Sequence, residues 1–177
     1  MTVPSYLVKT ARLGWKWQWL RLMNALAPAD NNGNYVRPIS DYQKAKAPSI
    51  EEVRSKDKKE IPILIIGKSC PWAHRTWLVY KLRGLKNTLS LIKAIPSLEK
   101  GKWELNPSYL GCKYLDEVYK ICGSSPSYRA TVPVLIDPFN KKVQRPKLLG
   151  NESAQLVKVL NEWPTEQQSI DLNPKEL

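Results

Sequence analysis

The sequence predicts an α/β fold: a mixed four-stranded sheet in the order βαβαββα, preceded by a helical extension. Three observations carry this. Ile61-Pro62-Ile63-Leu64-Ile65-Ile66 is a short β-branched apolar run, the signature of a buried strand. Leu89-Ser90-Leu91-Ile92-Lys93-Ala94-Ile95 is a second one. Between them Trp77, Leu78, Leu82 and Leu85 recur at helical spacing, and two strands joined through a helix of that length form a parallel βαβ unit.

The elements follow in order. Residues 1–27 read as one helix, with Leu7, Val8, Ala11, Trp15, Trp19, Leu22 and Leu26 on one face and Lys9, Arg12 and Lys16 away from it. Trp15, Trp17 and Trp19 alternate, which also admits a short strand. Such a basic, Trp-rich stripe either docks against the chain's own core or lies on an anionic membrane. From Pro28 to Lys59 the composition turns to Asn, Asp, Pro, Lys and Ser, with Asp30-Asn31-Asn32-Gly33 as a turn signal. Within it Ser49 and Glu52 have the spacing of a helix capping box. After the second strand comes a loop with Gly101, Trp103 and Pro107. A helix from about Cys112 to Cys122 then turns Leu115, Val118, Tyr119 and Cys122 inward. Thr131-Val132-Pro133-Val134-Leu135-Ile136-Asp137 reads as a strand interrupted by proline, with Lys141-Lys142-Val143-Gln144 as its partner across a turn at Pro138-Phe139-Asn140. Asn151-Glu152-Ser153 opens a last helix with Leu156, Val159 and Leu160 facing inward. This divides the chain into an extension (1–60), a compact domain (61–163) and a polar tail (164–177).

A chain of 177 residues builds one good core plus an extension. Its apolar runs are far shorter than the ~20 residues that cross a bilayer, and no secretory signal is visible. The odd count of three cysteines (Cys70, Cys112 and Cys122) at unrelated spacings argues against a disulfide scaffold and for a reducing cytoplasm. The net charge of +12 permits nucleic-acid or anionic-membrane partners. Its Lys and Arg are spread along the whole chain, and no nucleic-acid motif accompanies them, so no specific nucleic-acid partner is expected.

The chemistry centres on Gly67-Lys68-Ser69-Cys70-Pro71-Trp72-Ala73-His74-Arg75-Thr76, where a cysteine joins the first strand to its helix. Pro71 suits the first helical turn, where its missing N–H is not needed. Cys70 therefore sits at the N-cap, facing unpaired N–H groups and the positive end of the helix dipole, an environment that favours a nucleophilic thiolate. A cysteine can also be a plain buried hydrophobe, but a strand–helix junction presents a side chain rather than buries it.

Pro133 is the second anomaly, since proline forfeits a ladder bond inside a strand. Either its peptide bond is cis and Val132 offers backbone groups to an extended ligand, or it is a trans proline on an edge strand. Glu152-Ser153 at a helix start is either an ordinary cap or a corner for a paired ammonium and carboxylate. His74, the only histidine, lies one turn after Cys70 and reads as structural; with one nearby thiol it makes no metal site. Cys112 and Cys122 read as core.

Together these elements resemble the thioredoxin fold as used by glutathione transferases. More narrowly, Cys70-Pro71-Trp72-Ala73-His74-Arg75-Thr76, Trp103 after Gly101, Thr131-Val132-Pro133-Val134-Leu135 and Asn151-Glu152-Ser153 resemble the N-terminal domain of the Xi-class enzymes, the glutathionyl-hydroquinone reductases, over about Ile61–Asn161. The resemblance implies that Cys70 attacks the sulfur of a glutathionyl-hydroquinone or a mixed disulfide, with glutathione as cosubstrate and no metal. It also implies that Val132 pairs with the cysteinyl backbone of glutathione, that Glu152 and Ser153 hold its γ-glutamyl end, and that Trp103 and Arg129 contact the tripeptide. Pro71 and Pro133 would shape the site. Ala73 stands where a dithiol enzyme has its second cysteine, so external glutathione must close the cycle.

The family carries a further all-helical domain and forms homodimers. The sequence reaches Leu177 without such a domain, so a fragment or a naturally shortened homologue is expected. Arg145-Pro146-Lys147-Leu148-Leu149-Gly150 reads as an insertion before the Asn151-Glu152-Ser153 corner. The competing expectation is a non-catalytic domain acting as an interaction or membrane-surface protein through Trp15, Trp17 and Trp19.

Overall fold

The computed structural model describes residues 3–26, 28–34, 36, 42, 45–57, 59–125, 129–140, 144–166 and 170–172. Its internal contacts divide the chain into two units, Met1–Ile39 and Ser40–Leu177.

The first unit holds one helix, α1, over Ser5–Leu26. It begins where Pro4 supplies its carbonyl to the N–H groups of Leu7 and Val8, and Pro28 follows its end. The alternating tryptophans are thus helical: Trp15, Trp17 and Trp19 are exposed, and the Arg21 guanidinium lies 5.5 Å from the Trp17 ring. The side chain of Leu26 falls outside the described residues. The turn expected at Asp30 is present, its carboxylate accepting from the N–H groups of Asn32 (2.9 Å) and Asn34 (2.8 Å).

The second unit opens with α2 (Ile50–Arg54), held by the expected capping box: Ser49 Oγ accepts from Glu52 N–H, and the Glu52 carboxylate accepts from Ser49 N–H. There follow β1 (Ile63–Gly67), α3 (Pro71–Leu82), a 3₁₀ turn at Leu85–Asn87 and β2 (Ser90–Ser97). Then come β3 (Lys102–Tyr109), β4 (Cys112–Tyr114), α4 (Leu115–Ile121), β5 (Val134–Asn140), β6 (Arg145–Gly150) and α5 (Ser153–Asn161). The strands form one six-stranded sheet ordered β4-β3-β2-β1-β5-β6. Among the described strands β1 and β2 alone run parallel, as the βαβ reading requires; the other pairs are antiparallel. All five residues of β1 are buried, so the strand reads as a continuous apolar run because it is covered on both faces.

The expected thioredoxin-like α/β domain is therefore present, but with six strands rather than four. The stretch read as a loop around Trp103 and Pro107 is β3, an edge-side strand whose polar alternation hid it. The supposed insertion Arg145–Gly150 is β6, paired with β5 at Leu148↔Ile136 and Lys147↔Asp137. The strand expected at Lys141–Gln144 falls largely outside the described residues. Nor is Pro133 inside a strand, since β5 begins one residue later. Pro138, read as part of a turn, lies within β5, beyond the Ile63–Ile65 segment that pairs with β1 and at a register shift, where its missing N–H costs no ladder bond to β1.

In α3 the inner face is Ala73, Thr76, Val79 and Tyr80, while Leu78 and Leu82 are exposed. The helix expected from about Cys112 starts only at Leu115, because Cys112–Tyr114 pair with β3 as β4. The inner-facing Leu115, Val118 and Tyr119 of α4 and Leu156, Val159 and Leu160 of α5 are all buried, as expected.

Beyond α5 the chain is tied back to the end of α3. Fully buried Trp163 donates its indole N–H to the Thr88 carbonyl (3.3 Å), and the Thr88 hydroxyl donates to the Pro164 carbonyl (2.8 Å). Arg83 donates to the carbonyls of Trp163 and Ile170. This clasp joins α5 to the α3–β2 connection, so Trp163→Ala should destabilise the domain by about 3–5 kcal/mol, the range for large-to-small substitution of a core aromatic. Urea unfolding checks this; an unchanged midpoint would show that the clasp contributes nothing.

Candidate functional site

The end of β1 sets the first half of the site. After Gly67 the chain turns, with Cys70 N–H donating to the Gly67 carbonyl (3.0 Å), and enters α3 with Pro71 in its first turn. Cys70 is the N-cap, in extended conformation, and its side chain makes no capping bond. Sγ instead donates to the carbonyl of Val132 at 3.6 Å. The thiol is half-buried and packed against the core.

Val132 comes from the approach to β5. Its peptide bond to Pro133 is cis, the first of the two alternatives left by the sequence. The segment before it is anchored by Tyr119 of α4, whose hydroxyl donates to the Thr131 carbonyl (2.9 Å) and lies 3.4 Å from the Thr131 N–H. The Asn151 amide reaches the same oxygen at 3.3 Å. One phenol thus fixes the residues immediately before Val132 and immediately before Glu152. Sequence reading took Tyr119 for a core residue, and the helical pattern gave no sign of this second role.

Trp103 reaches the site from β3. A methyl group placed on Gly67 would lie 2.6 Å from its ring and 3.0 Å from Val132, so the indole packs directly on the glycine backbone three residues before Cys70. Only glycine allows that approach. Cys70, Val132 and Trp103 are therefore gathered at one end of the sheet. Arg129 is exposed beside residues outside the described set.

Glu152 and Ser153 stand at the start of α5. Glu152 is the N-cap and accepts from Ala154 N–H at 3.4 Å, so the ordinary capping role is real. Ser153 is buried, 1% exposed, and its Oγ accepts from the guanidinium of Arg75. The same guanidinium lies 4.0 Å from the Glu152 carboxylate and 5.1 Å from the Trp72 ring. Arg75 belongs to the cysteine-bearing helix and so joins the thiol to the Glu152-Ser153 corner. The motif contained it, but nothing in its spacing marked it as more than a solvated charge. His74 is exposed, its ring 5.8 Å from that of Trp77.

The other thiols differ from Cys70 in setting. Burial pushes the Cys122 thiol up to about 12, with Cys112 adding to the shift and Arg145 opposing it, and burial likewise raises Cys112. Among the described residues no three His, Cys, Asp or Glu converge on a metal-sized space. A cleft of about 540 Å³ lies elsewhere, around the Lys56–Asp137 ion pair (3.1 Å) and Trp163, and includes none of the site residues.

With this geometry in place, comparison with known proteins is decisive. Residues 69–163 match the glutathione S-transferase N-terminal domain. The chain belongs to that family. It is 30% identical over 105 residues to the glutathionyl-hydroquinone reductase PcpF of Sphingobium chlorophenolicum, covering 55% of this chain and 32% of the relative. It is 31% identical over 106 residues to the glutathionyl-hydroquinone reductase YqjG of Escherichia coli, covering 55% and 31% respectively. The chain thus spans about a third of the length of these relatives. In fold it is similar to the Xi glutathione transferase ECM4 of Saccharomyces cerevisiae, solved in complex with glutathione. That likeness has a TM-score of 0.59 and 23% identity, and covers 82% of this chain and 52% of that one.

The thiols yield a prediction. At pH 8 iodoacetamide should label Cys70 and spare Cys112 and Cys122, whose burial both hides them and disfavours the thiolate. Because the folded state holds the Cys122 proton more tightly than the ordinary value of 9.0, that group's stabilisation is complete below about pH 9 and is lost as pH rises towards about 12. The raised phenols of Tyr80 and Tyr109, both shifted by burial, act in the same direction. Peptide mapping after labelling, and melting temperature followed from pH 8 to 11, check both. Labelling of Cys122 at pH 8 in folded protein would contradict the burial.

Proposed function

We propose that this chain is a glutathione-dependent thiol transferase of the glutathionyl-hydroquinone reductase type, with Cys70 as nucleophile. The observation that carries the reading is the placement of Sγ at the N-terminus of α3, 3.6 Å from the Val132 carbonyl, with the Glu152-Ser153 corner reached through the same helix. A peptide thiol lying along Val132 would bring its sulfur to Cys70, its γ-glutamyl end to Glu152 and Ser153, and its body to Trp103 and Arg129.

In the first step the Cys70 thiolate attacks the sulfur of an S-glutathionyl hydroquinone. The new S–S bond forms as the carbon–sulfur bond breaks, and its electron pair goes to the ring carbon, which takes a proton. Hydroquinone leaves, and Cys70 holds glutathione as a mixed disulfide. A second glutathione thiolate attacks that disulfide, releasing oxidised glutathione and returning the Cys70 thiolate. The aromatic substrate is reduced, and two glutathione sulfurs are oxidised to one disulfide. A reducing cytoplasm supplies the thiol consumed.

The test is direct. A glutathionyl-menadiol added in slight excess, with no free glutathione, should leave the protein with one glutathione on Cys70 and release an equivalent of menadiol. Intact mass and peptide mapping detect the adduct, and Cys70→Ser should show neither product. Menadiol release that persists in Cys70→Ser would remove Cys70 from the mechanism.

A second reading rests on α1, whose own sequence carries Lys9, Arg12, Lys16 and Arg21 with no acidic residue and whose three tryptophans are exposed. This composition suits peripheral contact with an anionic bilayer. The chain should sediment with phosphatidylserine-containing vesicles and not with phosphatidylcholine alone, and Trp15→Ala with Trp19→Ala should release it. Undiminished binding of that double variant would count against the contact.

A further inference from the structure

On the reading that this site binds glutathione, we infer that Tyr42, outside the family-matched residues 69–163, is a positioning residue that acts on that binding through Tyr119. The Tyr119 hydroxyl gives its proton to the Thr131 carbonyl (2.9 Å), while the Thr131 N–H (3.4 Å) and the Asn151 amide (3.3 Å) point at its oxygen. One proton and two lone pairs are all that a phenol offers, so this oxygen has no bond to spare. Thr131 precedes Val132, and Asn151 precedes Glu152. A small tilt of the Tyr119 ring therefore shifts both segments proposed to hold the peptide, and the ring has to be held as firmly as its hydroxyl.

Tyr42 does the holding. Its ring meets that of Tyr119 edge-on, with centroids 6.5 Å apart and planes at 88°, the geometry that aromatic quadrupoles favour. Its hydroxyl is hydrogen-bonded to that of buried Ser124 at 2.7 Å. Ser124 in turn donates its N–H to the Tyr119 carbonyl (3.0 Å), in the turn that Gly123 closes at φ 86°. Tyr42 thus grips Tyr119 twice, on its ring and through the end of its helix. Its neighbourhood in the chain is seated against the same corner. A methyl group on Gly150 would lie 3.1 Å from the Ala45 side chain and 3.4 Å from the Tyr42 carbonyl oxygen, and Gly150 directly precedes Asn151. Ala45 is itself buried in the core. Residues that read in sequence as part of an irregular connection therefore brace the framework of the site.

The experiment asks whether Tyr42 acts through the Tyr119 hydroxyl. Calorimetry would measure S-methylglutathione binding to the unmodified chain and to a set of variants. Tyr42→Leu, which fills the space without a ring, should weaken binding roughly threefold to tenfold, the worth of one aromatic pair. Tyr42→Phe keeps the ring and should retain most of the affinity. Tyr119→Phe should weaken binding at least as much as Tyr42→Leu. The double variant Tyr42→Leu with Tyr119→Phe should bind no more weakly than Tyr119→Phe alone, because without the hydroxyl the ring has nothing left to place. Val53→Ala, which opens a cavity under α2, controls for lost stability and should leave the affinity unchanged. Additive effects of Tyr42→Leu and Tyr119→Phe overturn the assignment, as does full affinity in Tyr42→Leu or an equal loss in Val53→Ala. Where Tyr42→Leu does not fold, Tyr42→Met fills the same space with a flexible chain and gives the same reading. Where Tyr119→Phe does not fold, the contrast of Tyr42→Leu with Tyr42→Phe and Val53→Ala decides. Failure of the unmodified chain to bind S-methylglutathione would instead overturn the glutathione reading, and this inference with it.

Discussion

The pairing of β1 with β5 is the constraint on which the site depends. Because the two strands are antiparallel, with Ile65 opposite Val134, the end of β1 lies beside the beginning of β5. The residues just beyond those ends, Cys70 and Val132, are therefore neighbours although 62 positions separate them. The parallel pairing of β1 with β2 holds the same strand from its other side, and burial of all five residues fixes its register against slippage. The thiol is thus placed by the most heavily buried strand of the domain. On the proposed function, a nucleophile so placed would lose little conformational freedom on meeting a substrate.

A second constraint ties the far corner to this pair. Glu152 and Ser153 begin α5, which packs on α3, and Arg75 crosses between the two helices. On the other side the Tyr119 hydroxyl joins Thr131 to Asn151. Each cross-link joins a segment next to Cys70 or Val132 to the segment that opens α5. Removing the phenolic oxygen would leave partly buried groups of both segments short of a partner, a cost of about 1–3 kcal/mol that falls on the relative position of the two halves. Polar groups inside this domain do architectural work at the site, and the apolar core alone would not align it.

Much of this was legible in the sequence because it is written in local patterns. The apolar run of β1, the proline after Cys70 and the Ser49/Glu52 spacing each depend on residues within one turn or one strand. Their reading needs no knowledge of the rest of the chain. What escaped depends on long-range pairing. Strand β3 carries Lys102, Glu104 and Asn106 between its larger residues, so its apolar content falls below what marks a strand. Strand β6 contains Pro146 and Lys147, which an edge tolerates because among the described residues its ladder is paired on one side only. Arg75 and Tyr119 have ordinary positions on their helices, and their roles arise only when α5 and the Thr131 segment arrive. The outward turn of Leu78 and Leu82 was hidden for the same reason: a helix with apolar residues on several faces does not announce which face the sheet will take.

On the proposed mechanism the cysteines set the order of chemistry. Ala73, three residues after Cys70, is fully buried and carries no thiol. Cys112 and Cys122 lie in the core with their thiols held protonated by desolvation. Under the proposed mechanism, a mixed disulfide at Cys70 then has no internal thiolate to attack it, and persists until a thiol arrives from solution. The incoming glutathione must approach the sulfur of the glutathione already bound, because only that attack yields free oxidised glutathione and the Cys70 thiolate together. On that mechanism the outer side of the bound cysteinyl sulfur must stay open to a second tripeptide while the γ-glutamyl end of the first is held at the proposed Glu152-Ser153 corner. An exposed Trp72 and a half-buried Cys70 are compatible with that approach.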